Sequence, residues 1–328
     1  MRIVLTGVSH WHVPFYLDPC LALSGTAVVG VSDPDPARAC EVAVRAGCPA
    51  FTDDREMCAQ LRPDFAFVLG RHCDMAALGR FLIESRIAFA MEKPCGISAA
   101  EVADLADAAL ARGVFTAVPF VFRYCALLDV LRDEAAGEPI QYASFKFIGG
   151  LVERYREARC EWMLHRATAG GGALINLGVH FLDLCRVLLP SERLEVVGAT
   201  LSNANAGLSV EDYAAVTLRS GRATCLVETG YLYPAPHSVF DLHYSIRTSG
   251  HYFSVRDPDR LEIRDNAHAS RMRDMVLINA PLYPRFVADT LRRLARGEPP
   301  IADLHDMAEV MQLVAAAYGS WRGGGEEV

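Results

Sequence analysis

Over its first 120 residues the chain alternates short apolar runs with helix-like segments, and few architectures accept that pattern. The runs cover residues 3–5, 27–31, 65–69, 87–91 and 114–118. Between them, residues 36–46, 53–61, 73–85 and 98–112 carry helical spacing. Ser98 with Glu101 three residues on fits a capping box, and Gly113 fits the stop of that helix. Apolar strands separated by helices of this length predict a parallel sheet covered on both faces.

The pattern changes after residue 120. Residues 123–134 predict a helix, closed by Gly137, Glu138 and Pro139. Longer, partly alternating runs follow at 141–147, 195–201, 213–218, 223–229 and 239–246. Turn residues such as Ser220 and Gly221 lie between them, so hairpins are expected. Residues 283–296 and 303–318 predict closing helices, and the tail 323–328 is expected to fray. The expected fold is α/β. A doubly wound parallel sheet fills residues 1–120, and an α+β unit with a large, mostly antiparallel open sheet fills 121–328. The last helix is expected to pack back on the first unit.

Composition removes some functions. The net charge of −8 argues against a nucleic-acid surface, which needs clustered Lys and Arg. No apolar run is expected to approach the roughly 18 residues of a membrane helix, and the opening residues do not read as a signal sequence. The 10 cysteines are scattered without a C-x-x-C pair. That spacing suits free thiols in a reducing, cytoplasmic setting.

The richest stretch is 170–184. Gly170, Gly171 and Gly172 end a loop, then Leu174, Leu177, Phe181 and Leu184 repeat at three and four. Asn176, His180 and Asp183 fall on another stripe, which points a polar file at something polar. A core helix holding one satisfied histidine is the plain alternative. A cation at His165, His180 and Asp183 is not expected, so no metal is assigned.

The first apolar run enters Gly7, Val8, Ser9, His10, Trp11 and His12. A dinucleotide-binding turn reads G-x-G-x-x-G. Gly7 matches; Ser9 and His12 stand where the other two glycines belong. The second run ends at Asp33, placed to accept from ribose hydroxyls and to repel a 2′-phosphate, which favours NAD. Arg38 nearby keeps NADP open. Gly70, Arg71 and His72 end another run, and Glu92, Lys93 and Pro94 the next. Ligands in parallel sheets bind beyond these carboxyl ends.

Together these residues resemble the Gfo/Idh/MocA oxidoreductases, the glucose–fructose oxidoreductase and inositol dehydrogenase group. The resemblance rests on Glu92-Lys93-Pro94 and on the G-G-G-x-L-x-N-x-G-x-H-x-x-D pattern of 170–183. Trp162 and the segment 286–299 also fit. It implies a Rossmann domain binding NAD or NADP, and a second domain for substrate and for homodimer or homotetramer contacts. It implies a catalytic lysine at Lys93, often before a cis proline, and a catalytic histidine at His180. Asn176 stands where the family commonly has Asp, so its implied role is orientation or substrate binding. Gly7, Ser9, His10, Trp11, His12, Asp33, Gly70, Arg71, His72, Glu92 and Lys93 would then face the cofactor. Arg123, Tyr155, Trp162 and Asn176 would face a small sugar, inositol or related polyol. The implied reaction is hydride transfer at a secondary alcohol. His180 would take the proton at its ordinary imidazole pKa, and Lys93 would steady the oxygen. NAD-dependent glycoside cleavage and a non-catalytic NAD-binding regulator remain as alternatives.

Overall fold

The computed structural model describes residues 1–189, 193–236 and 239–320. The expected tail at 323–328 lies outside them. The first unit runs β1 (Arg2–Thr6), α1 (Val13–Ala22), β2 (Ala27–Ser32), α2 (Pro36–Ala46), β3 (Ala50–Phe51), α3 (Asp54–Leu61), β4 (Phe65–Val68), α4 (His72–Glu84), β5 (Ala88–Met91), α5 (Ala99–Arg112) and β6 (Thr116–Ala117). The strands form one sheet in the order β3-β2-β1-β4-β5-β6, and every neighbouring pair is parallel. Buried Ile3, Val4, Leu5, Phe65, Phe67 and Phe89 fill its interior. The order reverses between β1 and β4, so a crevice opens at their carboxyl ends.

Local chemistry sets the helix limits. Asp35 caps α2 through Ala37 N–H, Pro36 takes the first turn, and Gly47 closes it at φ 66°. Ser98 accepts from Glu101 N–H at 3.3 Å to cap α5. The Glu101 carboxylate reaches past it to Ile97 N–H at 2.9 Å. This is a capping box shifted by one residue.

The second unit adds α6 (Ala126–Glu134), β7 (Ile140–Gly150), α7 (Glu153–Glu157), α8 (Arg166–Ala169), α9 (Val179–Leu188), β8 (Glu195–Ser202), β9 (Tyr213–Ser220), β10 (Ala223–Tyr233), β11 (Asp241–Thr248), β12 (His251–Asp257), β13 (Arg260–Asp265), β14 (Ser270–Asp274), α10 (Tyr283–Arg296) and α11 (Leu304–Ser320). Its sheet has eight strands, β14-β13-β12-β11-β7-β10-β9-β8. It is antiparallel except for β7 against β10, which run parallel. The earliest strand thus lies at the centre, and hairpins flank it on both sides. Phe145, Phe147 and Tyr244 face Phe181 of α9 with ring centroids 5.3–5.7 Å apart. Helix α11 packs on α5 of the first unit as well as on β8 and α9.

Three features depart from the expectations. The helix at 123–134 is broken: a 3-10 turn over Val121–Tyr124 precedes α6, with Cys125 extended between them. The 170–184 stretch is not one regular helix, because Leu174–Gly178 form a π-helical turn before α9. And segment Arg166–Leu188 is long and apolar enough, by length and composition, to cross a membrane. Most of it is buried inside the molecule, packed in the second unit.

Candidate active site

Gly7 shapes the turn after β1. Its φ is +66°, and a Cβ there would lie 2.1 Å from Gly70 N, so the ends of β1 and β4 meet backbone to backbone. Asp33, at the end of β2, is 2% exposed. Its carboxylate accepts from Ser9 N–H at 2.6 Å and Asp35 N–H at 2.9 Å, which ties the β1 and β2 turns together. Arg38 is engaged by Glu41 at 2.9 Å and by the Ala158 carbonyl at 3.3 Å. Arg71 is exposed on an ion pair with Asp74.

His12 occupies the third-glycine position and makes a buried contact of its own there. Its Nδ1 lies 2.7 Å from Glu92 Oε1, at the end of β5. Tyr16 and Tyr283 also donate to Oε1, at 2.7 and 3.2 Å, and Lys93 N–H donates to Oε2 at 3.0 Å. Burial alone would raise Glu92. The imidazole, Lys93 and these donors instead hold the carboxyl well below its usual range. His10 and His12 are both lowered, first by burial. Removing one member of so buried a set costs roughly 3–5 kcal/mol.

Lys93 is 3% exposed and its peptide to Pro94 is cis. Its Nζ donates to the Asn176 carbonyl at 2.7 Å and to Asn176 Oδ1 at 2.5 Å. Asn176 Nδ2 donates on to Tyr155 Oη at 2.6 Å and Tyr231 Oη at 2.9 Å. Burial, with Arg154 nearby, lowers Lys93 to about 8 despite Glu92. The π turn sets this geometry. It delivers both the carbonyl and the side chain of Asn176 to one ammonium, and such turns recur at functional sites.

His180 opens into this neighbourhood from α9. Its ring stands edge-on to Phe120 and Phe122, and its Nδ1 is buried without a partner among the described residues. Burial, then the Lys93 charge, pushes it down to about 3. The ordinary imidazole value expected from sequence therefore does not hold in this closed arrangement.

Not every residue named from sequence converges. Asp183 leaves the polar file: it accepts from Arg123 Nε at 2.8 Å and Nη2 at 2.6 Å. Arg123 also donates to the Ile301 carbonyl at 2.7 Å and Asp306 at 2.7 Å, so this guanidinium clamps α9 to α11 instead of facing Lys93. Trp162 packs on His72 and His10, with centroids 4.9 and 5.8 Å away, and so stands beside the Gly7 turn. His72 Nδ1 meets the Ala169 carbonyl at 2.8 Å while Nε2 is unpartnered, and burial lowers it to about 3. Trp11 stacks on His12 and packs at a tilt against Tyr155, and its Nε1 has no partner among the described residues.

Sequence reading missed Tyr16, Tyr231, Tyr283, Arg154 and Glu211. Tyr16 follows His12 by four residues on one helical face, a usable signal. Glu211 had none. It takes Gly172 N–H and Leu174 N–H at 2.9 Å each, and Tyr318 Oη at 2.8 Å, anchoring the triple-glycine loop. A Cβ at Gly172 would sit 1.8 Å from the Glu211 carbonyl, so that loop admits only glycine there.

Comparison with known proteins agrees with this architecture. Residues 1–120 match the model described as an oxidoreductase family with an NAD-binding Rossmann fold, and residues 126–252 match that of the GFO/IDH/MocA C-terminal domain. A trans-1,2-dihydrobenzene-1,2-diol dehydrogenase of Bos taurus is 26% identical over 214 residues, 61% of this chain and 60% of its own length. The chain thus spans about three fifths of the curated relatives it matches. An oxidoreductase from Agrobacterium radiobacter, solved with NAD+, L-tartaric acid and magnesium, superposes with a TM-score of 0.85 at 19% identity, covering 98% of this chain and 96% of its own. An inositol dehydrogenase homologue from Azotobacter vinelandii, solved with NAD+, gives 0.83 at 20%, covering 99% and 96%. At such identities the likeness establishes the fold.

Proposed function

Since the chain belongs to the Gfo/Idh/MocA oxidoreductase family, we propose that it transfers a hydride between NAD and a secondary alcohol carbon of a small sugar, inositol or related polyol. The observation that carries this reading is the junction of Lys93 with Asn176, four residues before His180. It brings the carboxyl end of the parallel sheet against the core helix of the second unit.

The residues present fit a dinucleotide. The Gly7 turn leaves backbone close to the β4 end, and Asp33 offers a buried carboxylate at the β2 end. Gly7, Val8, Ser9 and Gly70 would line the pyrophosphate, and Asp33 the adenosine ribose. The Trp11 Nε1 donor and His72 Nε2 are buried in the same region without a partner among the described residues. Bound nicotinamide supplies the hydride chemistry.

The proton falls to this chain. Lys93, lowered to about 8, is a far stronger base at neutral pH than His180, lowered to about 3. In the oxidation direction neutral Lys93 Nζ takes the hydroxyl proton; in reduction its ammonium returns it. Neutral His180 holds the reacting oxygen through Nδ1. Asn176 keeps the lysine aimed. The ten free thiols support a reducing, cytoplasmic setting. The exposed apolar residues Val197, Leu226 and Met272 on the large sheet support a homodimer or homotetramer.

The test is NADH formation, followed by absorbance, with a panel of sugars, inositols and sugar acids. Turnover that vanishes in Lys93→Met supports the reading. Release of an aglycone from glycosides without net NADH, or NAD binding with no reaction on any compound, would replace it.

A further inference from the structure

Arg154, on α7, is 3% exposed. A guanidinium stays charged in any protein environment, and a buried charge ordinarily meets a carboxylate. Among the described residues none lies within ion-pair distance of it. Its Nη2 donates to Tyr155 Oη at 2.6 Å, and its Nε is buried without a partner. The rings of Trp11, Tyr155 and Tyr231 surround it, with centroids 4.9, 4.7 and 5.3 Å from its central carbon. The chain makes room for this: a Cβ on Gly149 would come within 2.9 Å of Nη1.

The aromatic faces do not settle the charge. Each contributes about 0.5–2 kcal/mol, against a desolvation penalty of several kcal/mol for the ion. Nor does the buried carboxylate at the end of β5. Glu92 is taken up by His12, Tyr16 and Tyr283, and it already faces the Lys93 charge. Asn176, which could have supplied a negative charge, is neutral. The four nearby histidines, His10, His12, His72 and His180, are all lowered by burial and add none. With Glu92 set against Lys93, the described residues leave one net positive charge, on Arg154, and its unpartnered Nε.

That charge sits at the reaction centre. Tyr155 Oη accepts from both Arg154 and Asn176, and Asn176 accepts from Lys93. Two hydrogen-bonded side chains therefore separate the guanidinium from the proposed acid–base nitrogen. We propose that the substrate carries a carboxylate, bound by Arg154, a few atoms from the alcohol held at Lys93. This deepens the dehydrogenase reading, on which it rests, by naming its substrate class as a hydroxy acid of the sugar-acid type. The planar fork of Nε and Nη suits a planar carboxylate in two parallel hydrogen bonds.

The experiment compares matched compounds with NAD: gluconate and galactonate against glucose, galactose and myo-inositol, with glucose 6-phosphate as a second anion. Melting temperatures of the NAD-bound protein with each compound are recorded beside kcat/KM. Native protein should favour the acids by roughly 10–100-fold and be stabilised by them, the worth of a charged hydrogen bond. Arg154→Met should lose that preference, and Arg154→Lys should keep part of it. Equal or better use of the neutral sugars overturns the proposal on native protein alone, with hydride transfer intact. So does preference for the phosphate, absence of stabilisation by either acid, or an Arg154→Met protein that loses acids and neutral sugars equally. Stabilisation of native protein by acids, absent in Arg154→Met, with no NADH from any compound, upholds the carboxylate site and rejects the dehydrogenase.

Discussion

Lys93 Nζ and Asn176 are joined twice, through the backbone carbonyl at 2.7 Å and through Oδ1 at 2.5 Å. The pair stitches the end of β5 to the π turn before α9. It holds the lysine with a neutral acceptor, so burial is free to lower its pKa to about 8. The amide's other half is equally committed, to Tyr155 and Tyr231.

Replacing that neutral acceptor should move the pH profile. Neutral Lys93 grows as pH rises through about 8, so kcat/KM for alcohol oxidation should climb across that range and level off above it. In Asn176→Asp a carboxylate beside the ammonium favours the charged form and raises the pKa. The rising limb should shift to higher pH, with turnover at pH 7 reduced. The tyrosine hydroxyls can turn to donate to the new carboxylate, so the fold should persist. An unmoved limb, measured on both proteins in the same buffers, would mean that another group sets it.

Asp33 gives the clearest cofactor test. Its carboxylate is anchored by Ser9 and Asp35 N–H, and in the proposed reading it would accept from ribose hydroxyls and repel a 2′-phosphate. Arg38, which could meet a 2′-phosphate, is already engaged by Glu41. NAD should therefore bind more tightly than NADP, and Asp33→Ser should erode the ratio by roughly 10–100-fold, the worth of hydrogen bonds to a charge. Titration of both dinucleotides into both proteins checks it. A ratio unchanged by the substitution leaves Asp33 as a turn residue only.

Much of this was legible in the residues, and the exceptions have physical causes. Helix α2 matches its expected limits because Asp35, Pro36 and Gly47 mark them with local chemistry. The parallel sheet was readable because strands buried on both faces are uniformly apolar. Strand β3 is two residues long and carries no such run. Strand β14 is exposed along its whole length, so Arg271, Met272 and Arg273 show no inward face. In β13, Leu261 and Ile263 do alternate with charges, but two apolar residues are too few to separate a strand from a loop. The π turn escaped because spacing assumes one helical pitch throughout. Arg154 and Glu211 escaped because burial of a charge is a tertiary fact. Lys93 and His180 stand out by motif, whereas the depressed pKa of each depends on packing that no motif records.

The buried imidazoles predict acid sensitivity. His72 and His180 are held at about 3 by burial, against 6.5 for the free group. Below 6.5 the unfolded chain binds protons that the folded chain refuses, so the stability of the fold is full above 6.5 and is lost as pH falls toward 3. Melting temperature should be flat near pH 7–8 and decline steadily below 6.5. His72→Gln removes one of these groups and should make the decline shallower. A flat melting temperature from pH 6.5 down to about 4.5 is inconsistent with neutral burial of these rings.

His180 tests how the reacting oxygen is held. Its Nδ1 has no partner among the described residues, so His180→Ala breaks no protein hydrogen bond there. The cost to the fold is the lost ring beside Phe120 and Phe122, roughly 2–4 kcal/mol. If the imidazole holds the reacting oxygen, turnover should fall by roughly 10²–10⁴-fold while NAD affinity barely changes. Lys93→Met should lose as much or more, because it removes the base itself. The two losses should combine less than additively, since both act on one oxygen. A histidine that only fills the core predicts something else: lower stability with turnover per folded molecule preserved. Melting curves run beside kcat separate these outcomes. Full turnover in a well-folded His180→Ala protein would leave Lys93 to handle the alcohol alone.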